Sequence, residues 1–304
     1  MKAWVAHSEA PGIMGGPPPG AQLVVWEGRS LAPSEDLDDV ALFVPPTWNK
    51  PAALDALVTL PHLQVVQLLS AGADWILPHM PEGVLLCDAQ GVHDPAVAEW
   101  VLATTLALLR RVDDFVRQQA QRSSEPGSSE TLHGKRVLIV GHGSIGRAVE
   151  IRMAAFGAQV ERVARRPREG VHGVDSLPEL LPGADVVVLL LPLTPSTRGL
   201  VDAAFLAAMP DRAVLVNASR GQVVDTDALT AEVMGGRLRA ALDVVDPEPL
   251  PPEHPLWDLP GVLLTPHVAA YTPTWLPRVY DLVRRQLVHL LEGTPVHNRV
   301  SDGY

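Results

Sequence analysis

A strand, a tight turn and a helix are predicted by KRVLIVGHGSIGRAVEIRMAAFGAQVERVARRP, residues 135–167. An apolar run at 137–140 leads directly into Gly141-x-Gly143-x-x-Gly146, and apolar residues then recur at helical spacing. Glycines at such a turn let a pyrophosphate approach the backbone amides of a helix N-terminus, where side chains would obstruct it. The stretch therefore predicts a dinucleotide-binding site. Its expected contacts are Gly141, Gly143, Ser144, Ile145 and Gly146.

The end of the following strand indicates which dinucleotide is bound. In NAD-specific sites an acidic residue about 20 positions further on accepts hydrogen bonds from the ribose hydroxyls. Here the strand ends in Arg165 and Arg166, and the nearest carboxylate, Glu161, lies earlier within the strand. Arginine binds a 2′-phosphate through charge-assisted hydrogen bonds, whereas a carboxylate would repel it. We therefore expect NADP(H) to be preferred, with NAD(H) possible, and interpret Arg162 and Arg168 as plain surface charge.

Strand and helix signals alternate along most of the chain. Six strand candidates lie between about 135 and 270, the number of strands in a doubly wound Rossmann fold. Residues 1–98 contain a second series of short apolar runs, with short helices expected at 51–60 and 73–80. Such alternation is typical of an α/β protein with mostly parallel sheets.

Two helices frame the predicted domains. A long, almost continuously apolar helix is expected from 94 to 122, and an amphipathic helix near the end of the chain is expected to return to the first domain. The resulting prediction is an α/β protein with two domains. A smaller, flavodoxin-like substrate domain comprises residues 1–95 plus 276–304, and a Rossmann dinucleotide-binding domain comprises residues 96–275.

The composition narrows the classes of function. A formal net charge of −11 argues against nucleic acid as the main partner. The densest apolar run, VVVLLLPL at 186–193, is far shorter than the roughly 20 residues that span a bilayer. A single cysteine, Cys87, excludes an intrachain disulfide, and no Cys/His pair has zinc-ligand spacing. We expect a cytoplasmic protein without a metal site or a membrane partner.

Four further stretches follow the glycines in a fixed order: LLPLTPSTRGLV (190–201), VNASRGQVVDTDAL (216–229), ALDVVDPEPLPPEHPLW (241–257) and LLTPHVAAYT (263–272). Together with the glycine motif they strongly resemble the D-isomer-specific 2-hydroxyacid dehydrogenases. The resemblance covers about 90–300 and, more loosely, QLLSAGADW at 67–75. It implies a homodimeric enzyme that transfers a hydride between NAD(P)H and a small 2-keto acid, with glyoxylate or hydroxypyruvate as first candidates.

The resemblance assigns three residues to catalysis. Arg220 corresponds to the family arginine that binds the substrate carboxylate and carbonyl, since a planar cation can orient the first and polarise the second. Glu248 and His267 correspond to the family's carboxylate–imidazole pair. A carboxylate bound to one ring nitrogen fixes the tautomer, and the other nitrogen then donates a proton to the ketone oxygen. All three follow predicted strands, at the carboxyl-end edge where open α/β sheets bind ligands.

The resemblance also suggests further contacts. Pro192 and Asp243 correspond to cofactor-binding positions, Asp243 beside the nicotinamide carboxamide. Ala71 and Gly72 correspond to a loop whose backbone amides bind the substrate carboxylate. Trp48 lies in a loop that could face the substrate, although packing in the core or at the surface is the favoured interpretation.

Some positions depart from the family pattern. The segment before the glycine motif lacks the tryptophan that usually reaches a partner subunit, and Ala269 and Ala270 stand where Gly and Ser are frequent. Formate-type relatives have Gln in place of Glu248, which argues against formate as substrate. Two alternatives stay open: a dehydrogenase of another small anion such as phosphite, and an NAD(H)-sensing regulator or corepressor with little turnover.

Overall fold

The computed structural model describes residues 1–29 and 37–300. The chain divides into two compact units. The first unit comprises the residues before Asp94 and those after Tyr271, and the second unit is the continuous segment Asp94–Tyr271. The first unit is therefore discontinuous in sequence, and the second unit is inserted between its two segments.

The first unit contains a parallel sheet in the order β2-β1-β3-β4-β5, which is the strand order of flavodoxin. Between its strands, the helix predicted at 73–80 is only a 3-10 turn at Leu77–His79, because Pro78 lies within it and Pro81 follows it. Its strands and first helices are β1 (Lys2–Val5), α1 (Ala10–Ile13), β2 (Gln22–Val25), β3 (Val40–Phe43), α2 (Lys50–Leu57), β4 (Val65–Gln67) and β5 (Leu85–Cys87).

The second unit contains all six predicted strands in one parallel sheet, in the order β11-β10-β9-β8-β6-β7. The strand order reverses at β6, which pairs with both β7 and β8, and such switch points are where open α/β sheets bind ligands. Its elements are α3 (Asp94–Leu109), α4 (Val112–Ala120), β6 (Arg136–Val140), α5 (Ser144–Ala155), β7 (Gln159–Val163), α6 (Leu177–Leu180), β8 (Val186–Leu189), α7 (Ala203–Ala208), β9 (Val214–Asn217), α8 (Thr226–Met234), β10 (Arg239–Leu242) and β11 (Val262–Leu264).

The prediction of one long helix from 94 to 122 is wrong, because the helix breaks between α3 and α4. Arg111 adopts a left-handed conformation with φ 57°, and its Nε binds Oδ2 of Asp114 at 2.9 Å. The carbonyl of Leu109 accepts a hydrogen bond from the Glu130 amide at 2.9 Å instead of continuing the helix. The apolar part, α3, packs with Val149 and Met153 of α5 in the core of the second unit.

The final helix, α9 (Trp275–Glu292), belongs to the first unit, as its amphipathic sequence predicts. Its apolar face supplies Val279, Tyr280, Val283 and Leu287 to the core that covers β1 and β3. The sheet of the first unit is therefore covered on this face by residues from the end of the chain.

Candidate active site

The glycine loop, residues 141–146, connects β6 to α5. Gly141 has φ 110° and lies against the Leu190 carbonyl, while a Cβ on Gly146 would come within 2.6 Å of the Gly141 carbonyl oxygen. The packing of strand against helix therefore requires these two glycines. Gly143 differs, because a Cβ there would meet no protein atom within 4 Å.

The open space at Gly143 fits a bound dinucleotide. Gly143 is the N-cap residue of α5, whose first amides have no partner within the helix. A side chain at this position would fill the space in front of those amides, where a pyrophosphate lies in sites of this type. The protein's own packing does not explain this third glycine, whereas a bound pyrophosphate does.

Ser144 lies in the glycine loop, and Pro192 follows a segment that lies beside it. The Ser144 hydroxyl donates to the Asp94 carboxylate, and the Ser144 side chain is therefore held by α3. The Leu190 amide donates to the Val140 carbonyl at 2.8 Å, which brings the segment leading to Pro192 next to Gly141. Ile145 packs against the α3–α5 core. These residues share the carboxyl-end edge of the sheet with Gly143.

Arg165 and Arg166 lie after the end of β7 and are exposed. The interpretation of Arg162 and Arg168 as plain surface charge is wrong, because both bind neighbouring polar groups. Arg162 Nε binds Glu150 Oε1 at 2.5 Å, and Arg168 Nη2 binds the His142 carbonyl at 2.8 Å. Sequence patterns do not show these contacts, since the partners come from the glycine loop and from α5.

His267 and Glu248 form a hydrogen-bonded pair. His267 Nδ1 lies 2.7 Å from Glu248 Oε1, and 49% and 40% of the two side chains, respectively, are exposed. A carboxylate can only accept, so Nδ1 carries a proton and Nε2 is the nitrogen left for a substrate. Because both side chains are half exposed, their direct attraction is screened, and the chief effect of the pair is to orient the ring.

Asp243 holds the loop that carries His267. Its carbonyl accepts from the His267 amide at 2.8 Å, and its Oδ1 accepts from Thr265 Oγ1 at 2.5 Å and from the Val268 amide at 2.8 Å. Oδ2 accepts from the Ala269 amide at 2.9 Å. This buried carboxylate thereby stabilises the loop in which His267 has φ 55°. Its predicted contact with the cofactor stays a prediction.

Arg220 follows β9 in a backbone segment that is fixed on both sides. The buried Asn217 donates from Nδ2 to the Arg220 carbonyl at 3.0 Å, and its Oδ1 accepts from Ser219 Oγ at 2.7 Å. The next residue, Gly221, lies so close to the Val245 carbonyl that a side chain would overlap it. Arg220, Glu248 and His267 follow the neighbouring strands β9, β10 and β11, and therefore lie at one edge of the sheet.

The predicted substrate residues of the first unit also follow strands. Ala71 and Gly72 follow β4, where Ser70 Oγ donates to the Gly72 carbonyl at 2.9 Å. Trp48 follows β3, with 48% of its surface exposed. Its Nε1 donates to the Glu27 carbonyl at 2.9 Å, and its ring lies edge-on to His7 at 4.8 Å. No sequence motif points to His7, and Trp48 combines packing against this ring with an exposed face.

Residues 1–29 and 37–300 contain neither a membrane-spanning helix nor a cluster of metal ligands. No helix in these ranges has the length and apolar content needed to cross a membrane. Over the same residues, no three His, Cys, Asp or Glu side chains are grouped as metal ligands.

Comparison with known proteins identifies the family. Residues 102–269 match the family model described as D-isomer specific 2-hydroxyacid dehydrogenase, NAD binding domain. The chain is 32% identical over 275 residues to glyoxylate/hydroxypyruvate reductase A of Yersinia enterocolitica, a match that covers 86% of this chain and 84% of that protein.

Solved structures agree with this assignment. A D-isomer specific 2-hydroxyacid dehydrogenase from Xanthobacter autotrophicus, in complex with NADPH and MES, is 30% identical with a TM-score of 0.85, over 99% of this chain and 97% of that one. An NADPH-dependent glyoxylate/hydroxypyruvate reductase from Sinorhizobium meliloti, in complex with NADP and sulfate, is 28% identical with a TM-score of 0.86, over 99% and 98%. The family and the fold class that the sequence predicts are both confirmed. The chain belongs to the D-isomer-specific 2-hydroxyacid dehydrogenases, a family of oxidoreductases.

Proposed function

We propose that this chain is an NADPH-preferring reductase of small 2-keto acids, with glyoxylate and hydroxypyruvate as first candidate substrates. The hydrogen bond of 2.7 Å between His267 Nδ1 and Glu248 Oε1 carries the proposal, because it leaves Nε2 to act as an acid. The names of the relatives support the substrate class, since one is a glyoxylate/hydroxypyruvate reductase A and another an NADPH-dependent reductase of the same acids.

The chemistry of reduction follows from the three side chains at the sheet edge. Arg220 binds the substrate carboxylate and polarises the adjacent carbonyl. His267 donates its Nε2 proton to the carbonyl oxygen, while Glu248 holds the Nδ1 proton and stabilises the charged ring before the transfer. The reduced nicotinamide, when bound, supplies the hydride that adds to the keto carbon. The product is a 2-hydroxy acid, and the half-exposed His267 regains its proton from solvent.

The cofactor would be held at the switch point of the sheet. Amides of the glycine loop and of the first turn of α5 would bind the pyrophosphate, and Arg165 and Arg166 the 2′-phosphate. Pro192 and Asp243 are assigned to the nicotinamide half by family resemblance. In the first unit, the same resemblance assigns the amides of Ala71 and Gly72 to the substrate carboxylate. The contact of Trp48 with substrate, the homodimer and the cytoplasmic location stay predictions.

Replacing Arg165 with alanine tests the preference for NADPH. We expect the Michaelis constant for NADPH to rise about tenfold, because a charge-assisted hydrogen bond to the 2′-phosphate is lost, and the constant for NADH to change less than about twofold. Steady-state kinetics with each cofactor measure both constants. Arg136→Ala is the matched control, since this exposed arginine lies at the amino end of β6. Equal changes for the two cofactors in Arg165→Ala would contradict the assignment.

The activity itself is tested by NADPH oxidation with a panel of 2-keto acids that includes glyoxylate, hydroxypyruvate and pyruvate. We expect turnover of at least one of them, and no reduction of NADP by phosphite. The folded state and NADPH binding are checked on the same preparation. A folded protein that binds NADPH but turns over none of the acids would contradict the proposal and favour a nucleotide-sensing regulator.

A further inference from the structure

The specificity loop, residues 164–170, connects the end of β7 to His172. Its ends are fixed by backbone hydrogen bonds: the Ala164 amide donates to the His172 carbonyl at 3.0 Å, and the His172 amide to the Arg162 carbonyl at 2.8 Å. Arg165 and Arg166 occupy its exposed part and form no side-chain hydrogen bond with any residue that the structure describes. The backbones of Arg168 and Val171 also pair through two hydrogen bonds, at 3.0 and 2.8 Å, so residues 165–167 are the part of the loop whose position needs a further cause.

Arg168 supplies a link between the specificity loop and the glycine loop. Its Nη2 lies 2.8 Å from the His142 carbonyl oxygen and 3.0 Å from His142 Nδ1. A guanidinium can only donate, so Nδ1 of His142 accepts and Nε2 carries the ring proton. Arg168 thus donates hydrogen bonds to both the backbone and the side chain of His142, a residue of the glycine loop.

His142 is buried, and its ring is held by Glu150 of α5. Only 7% of its surface is exposed, and its Nε2 lies 2.6 Å from Oε2 of Glu150 on α5. The other carboxylate oxygen of Glu150 accepts from Nε and Nη2 of Arg162, both at 2.5 Å. Burial raises the pKa of the Glu150 carboxyl, but hydrogen bonds from Arg162 and His142 outweigh it and lower that pKa overall. Glu150 therefore stays ionised between its two partners.

These contacts form a continuous chain, Arg168–His142–Glu150–Arg162, which we name the anchor chain. It starts and ends on the segment that carries the specificity loop, and Arg162 Nη1 also lies 3.4 Å from the Gly170 carbonyl oxygen. The residues before and after Arg165 and Arg166 are consequently hydrogen-bonded to α5 and to the glycine loop, the elements that would hold the pyrophosphate.

We propose that Arg168 is a positioning residue for cofactor selection, which acts through His142 to hold Arg165 and Arg166 where the 2′-phosphate binds. The inference rests on the NADPH preference proposed above. Holding a loop in its binding conformation beforehand reduces the conformational entropy that is lost when the ligand binds. His142 is then a specificity-determining position within the glycine loop, although it contacts no phosphate itself.

Two other roles for Arg168 make different predictions. If Arg168 bound the 2′-phosphate directly, its loss would still weaken NADPH binding severalfold in the Arg165→Ala background, because a remaining contact with the phosphate would be removed. If Arg168 only stabilised the fold, its loss would lower the melting temperature and affect NADPH and NADH equally. A positioning role predicts a selective effect that becomes much smaller once Arg165 is absent, because only Arg166 then remains to be positioned.

A double-mutant cycle on cofactor binding separates these roles. Dissociation constants for NADPH and NADH are measured by calorimetric titration for the unchanged protein, Arg165→Ala, Arg168→Gln and the double variant, without substrate. We expect Arg168→Gln to weaken NADPH binding about fivefold and NADH binding less than about twofold. In the Arg165→Ala background, the same change should weaken NADPH binding by less than about twofold further.

Three further variants sharpen the test. His142→Ala should reproduce the selective loss seen in Arg168→Gln, and Arg168→Lys should restore part of the affinity, because a lysine can still reach the His142 carbonyl. Arg136→Gln removes an equal charge at the amino end of β6 and should leave both constants unchanged. Retained NADH binding shows that each variant is folded.

The outcomes that overturn the inference are separate from those that overturn the proposed function. Equal weakening of NADPH and NADH by Arg168→Gln, or severalfold further weakening of NADPH binding in the Arg165→Ala background, rules out the positioning role. An unchanged protein that binds NADPH no better than NADH would instead refute the NADPH preference, and it would do so before any variant is compared.

Discussion

His267→Ala should lower kcat for 2-keto acid reduction by about 10³-fold and leave NADPH binding intact. The ring is the only group of the Arg220–Glu248–His267 set that can donate a proton, since Arg220 keeps its protons and Glu248 is committed to Nδ1 at 2.7 Å. Without the ring, the developing alkoxide would have to take its proton from water. Steady-state kinetics on the best keto acid give kcat, and calorimetry gives the dissociation constant of NADPH.

A matched control and a graded variant accompany this prediction. His133→Ala removes an exposed histidine that precedes the amino end of β6, and should leave kcat within about twofold. Glu248→Gln keeps an acceptor for Nδ1 but removes the charge, so kcat should fall by an intermediate factor of about tenfold. If His267→Ala kept more than a tenth of kcat, the role of this ring as the acid would be refuted.

Arg220→Lys should reduce kcat/KM for a 2-keto acid by about 10²-fold, and Arg220→Ala by about 10³-fold or more. Lysine retains the charge but not the planar fork that holds a carboxylate and polarises its neighbouring carbonyl. The backbone around Arg220 is fixed by Asn217 and by the close approach of Gly221 to Val245, so a shorter reach would not be compensated by a loop shift. Steady-state kinetics give kcat/KM for each variant.

Hydroxyacetone, which lacks a carboxylate, tests whether Arg220 acts on the carboxylate of the substrate. The unchanged protein should reduce hydroxypyruvate far better than hydroxyacetone, and both Arg220 variants should lose most of that discrimination. Arg212→Lys is the control, because this exposed arginine precedes the amino end of the same strand, β9. An Arg220 variant that kept the full preference for hydroxypyruvate would show that another group binds the carboxylate.

The sequence predicts the elements whose signals are local. Apart from β7, whose sequence is QVERV, each strand of the second unit is a short, largely apolar run, and the glycine loop stands between one such run and an apolar helical repeat. The pairing of Glu248 with His267 follows from family resemblance, and the structure brings the two side chains within hydrogen-bonding distance. Strand and loop are thus predictable because periodicity and backbone chemistry are properties of neighbouring residues.

The features that the sequence does not predict depend on contacts with residues from other parts of the chain. The break at Arg111 requires Asp114 and the amide of Glu130, and a run of helix-forming residues carries no sign of either contact. Arg162 and Arg168 look like solvated charge because Glu150 and His142 come from other elements. Asp243 matches a cofactor position, yet the hydrogen bonds by which its carboxylate holds the His267 loop become visible only once β10 and β11 are paired.

The return of α9 to the first unit fixes the order in which the two units are completed during synthesis. β1 to β5 leave the ribosome before the second unit, but the core that covers them needs Val279, Tyr280 and Leu287, which are translated after it. The second unit is continuous in sequence, so we expect it to fold while the first unit still waits for its final helix. A nascent chain stopped after Tyr271 would thus carry a finished nucleotide-binding unit beside an apolar sheet face open to chaperones.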